Sequence, residues 1–304
     1  MKKIFNTIFA GLVALQIAMF ASSVQAAEVK EIKQTHNGIT LNANLMMADG
    51  KTFADDIVLL THGTLTHKDR STYAQLQKNL AGHGISSLAI NLSLGLSDRH
   101  GEYDCAVPHI HKHTDALKEI DFWLNWLQKQ GAKNITLMGH SRGGNQTAWY
   151  SIEHDSNAFK KVVLLAPATG GQQAAEDYQK KYGKPLQPIL DKANKLVAEG
   201  KGDTMLKDID FIYCKKAQVT AAAFADYYNV KPQFNTIGLL KGAKKDTLVI
   251  IGSADTVEAD LPEKMKQLAD SDKVQTVTIE DATHFFLDFA NEDVATAVAE
   301  FIEQ

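Results

Sequence analysis

Ser141 lies at the centre of a Gly-x-Ser-x-Gly motif, with Gly139 and Gly143 two positions away on either side. The apolar residues 135–138 precede the motif and predict a short buried strand, and a helix is expected after it. A sharp turn between a strand and a helix needs small neighbours, because the backbone there is strained and closely approached. The motif therefore predicts a nucleophile elbow, which raises a serine hydroxyl above the carboxyl end of a sheet.

An acid and a histidine follow two later predicted strands. Asp255 comes shortly after the apolar residues 248–251, and His284 comes shortly after an alternating strand predicted over 274–279. A serine hydroxyl is a poor nucleophile at neutral pH and needs a nearby base and a group that orients that base. The chain supplies these residue types in the order serine, aspartate, histidine, each just beyond the carboxyl end of a predicted strand.

These motifs resemble the α/β-hydrolase family, which shares the elbow, the order of the three residues and an early His-Gly loop. The resemblance extends from about residue 57 to the C-terminus. It implies a mostly parallel sheet with helices on both faces. It also implies that Ser141 is the nucleophile, that His284 is the base and that Asp255 orients this base.

The same resemblance implies an oxyanion hole formed by two backbone N–H groups. One belongs to Arg142, and the other belongs to the loop His62-Gly63-Thr64, where Thr64 is preferred and Gly63 is the alternative. The side chain of Arg142 is expected to be structural or to face a lid. His140 is expected to pack beneath the elbow.

Three other carboxylates remain as alternative acids, namely Asp260, Asp281 and Asp288. Some members of the family place the acid after the sixth strand instead. In this chain that segment, 166–169, contains no carboxylate, so the interpretation keeps Asp255 as the preferred acid.

Short apolar runs alternate with helical patterns along most of the chain. The runs predict strands over 57–60, 87–90, 135–138, 162–165 and 248–251. Continuous apolar runs are typical of parallel strands that are covered on both faces. Two leading strands are expected on either side of His36-Asn37-Gly38, the strand 274–279 suits a sheet edge, and Asn291 is expected to cap the final helix.

Repetition of strand and helix predicts a parallel sheet with crossover helices. Residues 169–240 interrupt this repetition, because they are polar, rich in lysine and helical in pattern. We interpret them as a helical lid inserted between residues 27–168 and 241–304, which form the core. A surface excursion with no role beyond packing is the alternative.

The first 26 residues have the features of a signal peptide. Lys2 and Lys3 precede the mostly apolar residues 8–20, and Val24-Gln25-Ala26 offers small residues for cleavage. The apolar stretch is short for a membrane span, so we expect cleavage after Ala26, no stable membrane anchor, and a periplasmic or secreted protein.

The chain contains two cysteines, Cys105 and Cys214. In an exported protein an even number of cysteines is compatible with a disulfide, which would join the lid to the core. Two unpaired buried thiols are the alternative, because spacing along the chain does not place two cysteines within bonding distance.

The loop from Asp98 to Asp115 concentrates histidines and carboxylates, including His109, His111 and His113. Such side chains could bind Zn²⁺ or Cu²⁺ in an exported protein. A polar loop near the mouth of a pocket is the favoured alternative, and contact with the substrate is a third. No metal is expected to take part in the reaction.

The chain has a net charge of −4 and no cluster of basic residues. Its charge pattern therefore does not indicate binding to nucleic acid. The leading hypothesis is an exported serine hydrolase that cleaves an ester or related acyl bond of a small molecule, without a cofactor. A thioesterase, amidase or peptidase on the same fold is an alternative, and so is a periplasmic metal- or ligand-binding protein on a hydrolase scaffold. The substrate-binding residues, the substrate and the oligomeric state stay open.

Overall fold

The computed structural model describes residues 28–154, 156–170 and 173–304. The predicted signal peptide lies outside these residues. Ten strands are present in the described ranges: β1 Val29–His36, β2 Ile39–Met46, β3 Asp56–Thr61, β4 Ser86–Asn91, β5 Asn134–His140, β6 Lys161–Leu165, β7 Met205–Phe211, β8 Cys214–Thr220, β9 Thr247–Gly252 and β10 Val274–Ile279.

Eight of these strands form one sheet in the order β1-β2-β4-β3-β5-β6-β9-β10. Strand β2 is antiparallel to its neighbours β1 and β4, and the remaining strands β4, β3, β5, β6, β9 and β10 are parallel to one another. The alternating strand β10 lies at the edge, as its pattern predicts. Because the parallel strands end at one edge of the sheet, the loops after β3, β4, β5, β9 and β10 are brought together there.

Nine α-helices surround the sheet in the described ranges: α1 Ser71–Gly82, α2 Asp115–Lys129, α3 Arg142–Glu153, α4 Ala174–Tyr182, α5 Gln187–Ala198, α6 Ala221–Tyr228, α7 Thr236–Leu240, α8 Leu261–Met265 and α9 Phe289–Glu303. None of the helices in the described part of the chain is long and apolar enough to cross a membrane.

Helices cover both faces of the sheet because its strands are apolar on both sides. On β5, Leu137 packs into the cluster that contains Trp123 of α2, and Met138 packs into the cluster that contains Leu76 of α1 and Val298 of α9. Both faces are thus removed from water, and hydrophobic burial of this kind is the dominant favourable contribution to folding. The predicted α/β-hydrolase architecture is confirmed.

Residues 169–240, here called the inserted segment, contain α4, α5, α6 and α7 and also the antiparallel hairpin β7–β8. The sequence pattern predicts helices here and misses the hairpin. Its strands have exposed lysines and two register irregularities, with a positive φ at Asp208, Ile212 and Lys216, so they lack an apolar run. Apolar residues of the segment, including Phe211 and Phe224, form a cluster together with Leu65 and Tyr103 of the core.

The final helix begins three residues earlier than its sequence predicts. Phe289 is its first residue and Asp288 stands at the N-cap, so the expectation that Asn291 is the cap is wrong. The side-chain amide of Asn291 is fully buried and donates to the carbonyl oxygens of Thr72 and Phe286. Its role is to hold the loop that follows His284 against α1.

Candidate active site

Ser141 occupies the sharp turn between β5 and α3, with φ 56° and ψ −123°. This is a strained conformation for a residue with a side chain. A Cβ atom at Gly139 would overlap the carbonyl oxygen of Gly143, and one at Gly143 would overlap that of His62. The two glycines are therefore required by close packing, and the turn has the geometry that the motif predicts.

The structure brings Ser141, His284 and Asp255 into one hydrogen-bonded line. The Oγ atom of Ser141 lies 2.9 Å from Nε2 of His284, and Nδ1 of the same ring lies 2.8 Å from Oδ2 of Asp255. A carboxylate accepts only, so Nδ1–H of His284 donates to Asp255, and Nε2 is free to accept from the serine hydroxyl.

Asp255 is held by the loop after β9. Its Oδ1 atom accepts from the backbone N–H groups of Val257, at 2.7 Å, and Glu258, at 3.1 Å. Burial by itself would raise the pKa of Asp255, but the hydrogen bonds from His284 and from these N–H groups hold the pKa below its usual value. The carboxylate is thus charged and fixed on the imidazole.

The other three candidate acids lie away from this line. Asp260 is exposed and forms an ion pair with Lys264, Asp281 is exposed on the loop after β10, and Asp288 precedes α9. His284 receives its carboxylate contact from Asp255 and from none of these three.

Of the three backbone N–H groups predicted for the oxyanion hole, those of Arg142 and Thr64 remain as candidates. Arg142 is the first residue of α3, so its N–H points out of the helix N-terminus, where helices bind anions. The N–H of Gly63 donates to the hydroxyl of Tyr73 at 2.9 Å, which leaves it unable to serve a substrate oxygen. Thr64 is therefore the candidate donor from this loop.

His140 connects the oxyanion loop to the loop of His284. Its Nδ1 accepts from the hydroxyl of Tyr73, which itself accepts from Gly63, and its Nε2–H donates to the carbonyl oxygen of His284; both distances are 2.8 Å. Burial lowers the pKa of His140 to about 3, so the ring is neutral. His140 packs beneath the elbow as expected. Sequence reasoning missed Tyr73, because no spacing relates it to Ser141.

A family model described as "Serine aminopeptidase, S33" matches residues 53–292. The chain belongs to this family of α/β hydrolases. No curated protein sequence matches it. The family and the fold make the chain a hydrolase enzyme.

Solved structures with the same fold include esterases and lipases. Est1E from Butyrivibrio proteoclasticus is 19% identical, with 90% of this chain and 97% of that chain covered and a TM-score of 0.63. The α/β hydrolase GrgF from Penicillium sp. sh18 is 14% identical, with 91% and 98% covered and a TM-score of 0.66. Monoacylglycerol lipase of Paleococcus ferrophilus is 17% identical, with 90% and 98% covered and a TM-score of 0.58. At these identities the likeness concerns the fold.

In this α/β hydrolase, Ser141 faces a cavity of about 400 Å³. Besides Ser141 and His284, its lining is mostly apolar or aromatic and includes Leu65, Tyr103, Val257 and Phe285. Cys105 also lines it and forms a disulfide with Cys214 at the start of β8. The inserted segment is therefore attached covalently to the wall of the cavity.

The three clustered histidines are buried between the loop after β4 and the inserted segment. Nδ1 of His109 lies 3.1 Å from Nε2 of His111, and Nδ1 of His111 lies 2.9 Å from the hydroxyl of Tyr227. Nε2 of His113 lies 3.1 Å from Oδ1 of Asn145 on α3. Within the described ranges no group of three or more His, Cys, Asp or Glu side chains could hold a metal ion. These rings connect the inserted segment to the core.

Proposed function

We propose that this α/β hydrolase is an exported serine hydrolase that cleaves carboxylic esters by way of an acyl-enzyme. The observation that carries the proposal is the hydrogen-bonded line from Asp255 through His284 to Ser141, which ends at a largely apolar cavity. A moderately apolar acyl or alkyl group suits such a cavity.

In this mechanism Ser141, His284 and Asp255 have distinct roles. Oγ of Ser141 attacks the ester carbonyl carbon while Nε2 of His284 accepts the hydroxyl proton, and Asp255 stabilises the imidazolium. The N–H groups of Arg142 and Thr64 stabilise the oxyanion. When the tetrahedral intermediate collapses, the bond to the alcohol breaks and His284 gives its proton to the departing oxygen. Water, activated in the same way, then releases the acid and regenerates Ser141.

A fluorophosphonate probe and a panel of 4-nitrophenyl esters from acetate to octanoate test the activity. We expect the wild type to be labelled and to hydrolyse the esters, and Ser141→Ala to lose both properties. Ser71→Ala, an exposed serine at the start of α1, serves as the matched control. A wild type that is neither labelled nor active would refute the proposed function.

Export is part of the proposal and has two supports. Residues 1–26 have the composition of a signal peptide, and the disulfide between Cys105 and Cys214 is of a kind that persists in oxidising compartments. Mass spectrometry of protein recovered from a bacterial periplasm should give a chain that begins at residue 27. Retention of Met1 in the cytoplasm would contradict export.

A peptidase is the second candidate, because the family description names serine aminopeptidases. Amino acid 4-nitroanilides test this activity beside the esters. If the anilides have the higher kcat/KM, the peptidase replaces the esterase while the roles of the three side chains stand.

A further inference from the structure

A second cavity, of about 260 Å³, lies between the core and the inserted segment. It adjoins the cavity of Ser141, because Tyr213 lines both cavities and Arg142, which lines the second, directly follows Ser141. Four further tyrosines line its walls: Tyr178, Tyr182, Tyr227 and Tyr228. The proposed mechanism uses no side chain of this cavity.

The guanidinium of Arg142 has neutral partners only. Its Nε–H donates to Oγ1 of Thr64 at 2.9 Å, its Nη1–H donates to Nδ1 of His113 at 3.4 Å, and its carbon lies 5.3 Å from the centre of the Tyr227 ring. None of the carboxylates that the structure describes forms an ion pair with it. A half-buried charge without a counter-ion is costly, so the site favours an anion brought by a ligand.

His113, one of the clustered histidines, holds this guanidinium in place. Because Nδ1 of His113 accepts from Arg142, its Nε2–H donates to Asn145, whose side-chain amide in turn donates to Oγ1 of Thr236 and to nearby carbonyl oxygens. Burial, with Arg142 and Lys231 nearby, holds the pKa of His113 well below its usual value. His113 therefore contributes no charge of its own and acts as a hydrogen-bond acceptor for Arg142.

A second cation, Lys181 on α4, lines the same cavity. Its ammonium lies 3.5 Å from the centre of the Tyr213 ring and 5.6 Å from that of Tyr182, and no described carboxylate pairs with it. Although the Lys181 side chain is exposed at the rim of the cavity, partial desolvation of its ammonium and the charge of Arg142 lower its pKa to about 8. Two cations that destabilise each other would both be stabilised by one anion between them.

The carboxylates of the cavity do not supply that anion. Oε2 of Glu258 accepts from the N–H and the hydroxyl of Thr169, both at 3.1 Å, and burial raises the pKa of Glu258. Asp177 is exposed and forms no ion pair with Arg142 or Lys181. A carboxylate on a ligand suits the planar guanidinium, which binds carboxylates through two parallel hydrogen bonds.

We infer that the second cavity is a specificity subsite for a carboxylate, so that the preferred ester substrates have an anionic group on one half, held by Arg142 and Lys181. The inference rests on the proposed esterase function and names its substrate class. The carboxylate can belong to the acyl half or to the alcohol half, and the experiment distinguishes the two.

For the acyl half, we compare the 4-nitrophenyl half-esters of adipic and pimelic acids with 4-nitrophenyl hexanoate and heptanoate. For the alcohol half, we compare the acetate esters of 4-hydroxybenzoate and 4-methylphenol. The quantity measured is the ratio of kcat/KM for the anionic ester to that for its neutral partner. We expect a ratio above one in at least one pair.

The variants then test which residues produce the preference. Hydrogen bonds to charged groups contribute ~1.5–3 kcal/mol, which corresponds to about a 10- to 100-fold change in the ratio. We expect Lys181→Gln to lower the ratio about ten-fold and Arg142→Gln at least as much. Lys180→Gln, the neighbouring residue outside the cavity, is the matched control and should leave the ratio within about two-fold.

Two results would overturn the inference. One is a ratio of one or less in both pairs for the wild type, and the other is a preference that Lys181→Gln leaves unchanged. In either case the neutral esters are still hydrolysed, so the proposed function survives. Loss of the proposed function would instead show as no hydrolysis of any ester and no labelling by the fluorophosphonate.

Discussion

Buried histidines lie in two places beside the nucleophile elbow, at His284 and in the cluster 109–113, and their hydrogen-bond partners differ. His284 is bonded to a carboxylate, that of Asp255. His109 and His111 are bonded to each other, and His111 is also bonded to a tyrosine hydroxyl. His113 is bonded to an amide oxygen and to a guanidinium. Both groups are almost completely removed from water.

The comparison teaches that the partner, and not the burial, decides what a buried histidine can do. Burial lowers the pKa of His109 to about 4 and that of His111 to about 3, and no adjacent carboxylate offsets this effect. These rings stay neutral and link neighbouring side chains by hydrogen bonds. In the proposed mechanism, His284 takes up a proton during the reaction, and Asp255 makes the resulting charge tolerable.

The largest expected effect comes from removing the histidine that has the carboxylate. We expect His284→Ala to lower kcat for 4-nitrophenyl esters by on the order of 10⁴-fold or more, because the hydroxyl of Ser141 loses its base. Circular dichroism should show an intact fold. His83→Ala, an exposed histidine at the end of α1, should retain wild-type turnover. Turnover near that of wild type in His284→Ala would refute the assignment of the base.

Changing Asp255, the partner of His284, should lower kcat by a similar or smaller factor. We expect Asp255→Asn to lower kcat by on the order of 10³- to 10⁴-fold, because the amide can hold His284 in the wrong tautomer and does not stabilise its charged form. Asp260→Asn and Asp281→Asn are the matched controls and should be mild. The reverse pattern would move the acid to another residue.

The smallest effect concerns stability, and it tests whether the buried ring of His140, which also lacks a carboxylate partner, is neutral. A histidine whose pKa in the folded state lies below 6.5 contributes stability that is complete above pH 6.5 and is lost as the pH falls toward the folded value. For His140, with a pKa of about 3, the loss between pH 6.5 and 5.5 is about 1 kcal/mol. We expect the free energy of unfolding of His140→Gln to fall less steeply than that of wild type between pH 6.5 and 5.5.

Urea unfolding at these pH values measures the slope, and His83→Gln is the exposed control. Burial raises the pKa of Glu119 to about 7, which favours folding as the pH falls, but this contribution is common to all three proteins and cancels. Identical slopes in His140→Gln and wild type would show that His140 is not held neutral in the folded protein.

The sequence predicts the sheet and the three residues of the hydrogen-bonded line well, because both depend on local patterns. Strand β10 has the predicted bounds, 274–279, and the apolar runs of β3 and β9 differ from the structure by one residue at each end. A residue that directly follows such a strand must lie at the carboxyl edge of the sheet. The strand pattern therefore places Ser141, Asp255 and His284 near the same edge of the sheet, and the family resemblance implies that they meet there.

The missed features depend on contacts between distant segments. Nothing near Gly63 indicates that the hydroxyl of Tyr73 takes its N–H. Only one face of the hairpin β7–β8 is apolar, and it packs against other parts of the inserted segment and against Leu65 and Tyr103. The exposed lysines and aspartates of the hairpin therefore obscure the strand pattern. The histidines 109–113 suggest metal ligands by type, and only their actual partners show that His113 supports Arg142 while His109 and His111 bond to each other and to Tyr227.

The disulfide determines how the inserted segment can move. Strand β8 is joined to the loop after β4 by Cys105–Cys214 and by the backbone hydrogen bonds between His109 and residues 218 and 220. The hairpin therefore moves with the core, whereas α4 has no covalent cross-link to it. Hydroxyl groups of α4, those of Tyr178 and Tyr182, donate to carbonyl oxygens of Asp210 and Ile212 in the hairpin. Arg142 therefore lies on the core wall of the second cavity, and Lys181 lies on a wall that is attached to the core through the hairpin and its disulfide.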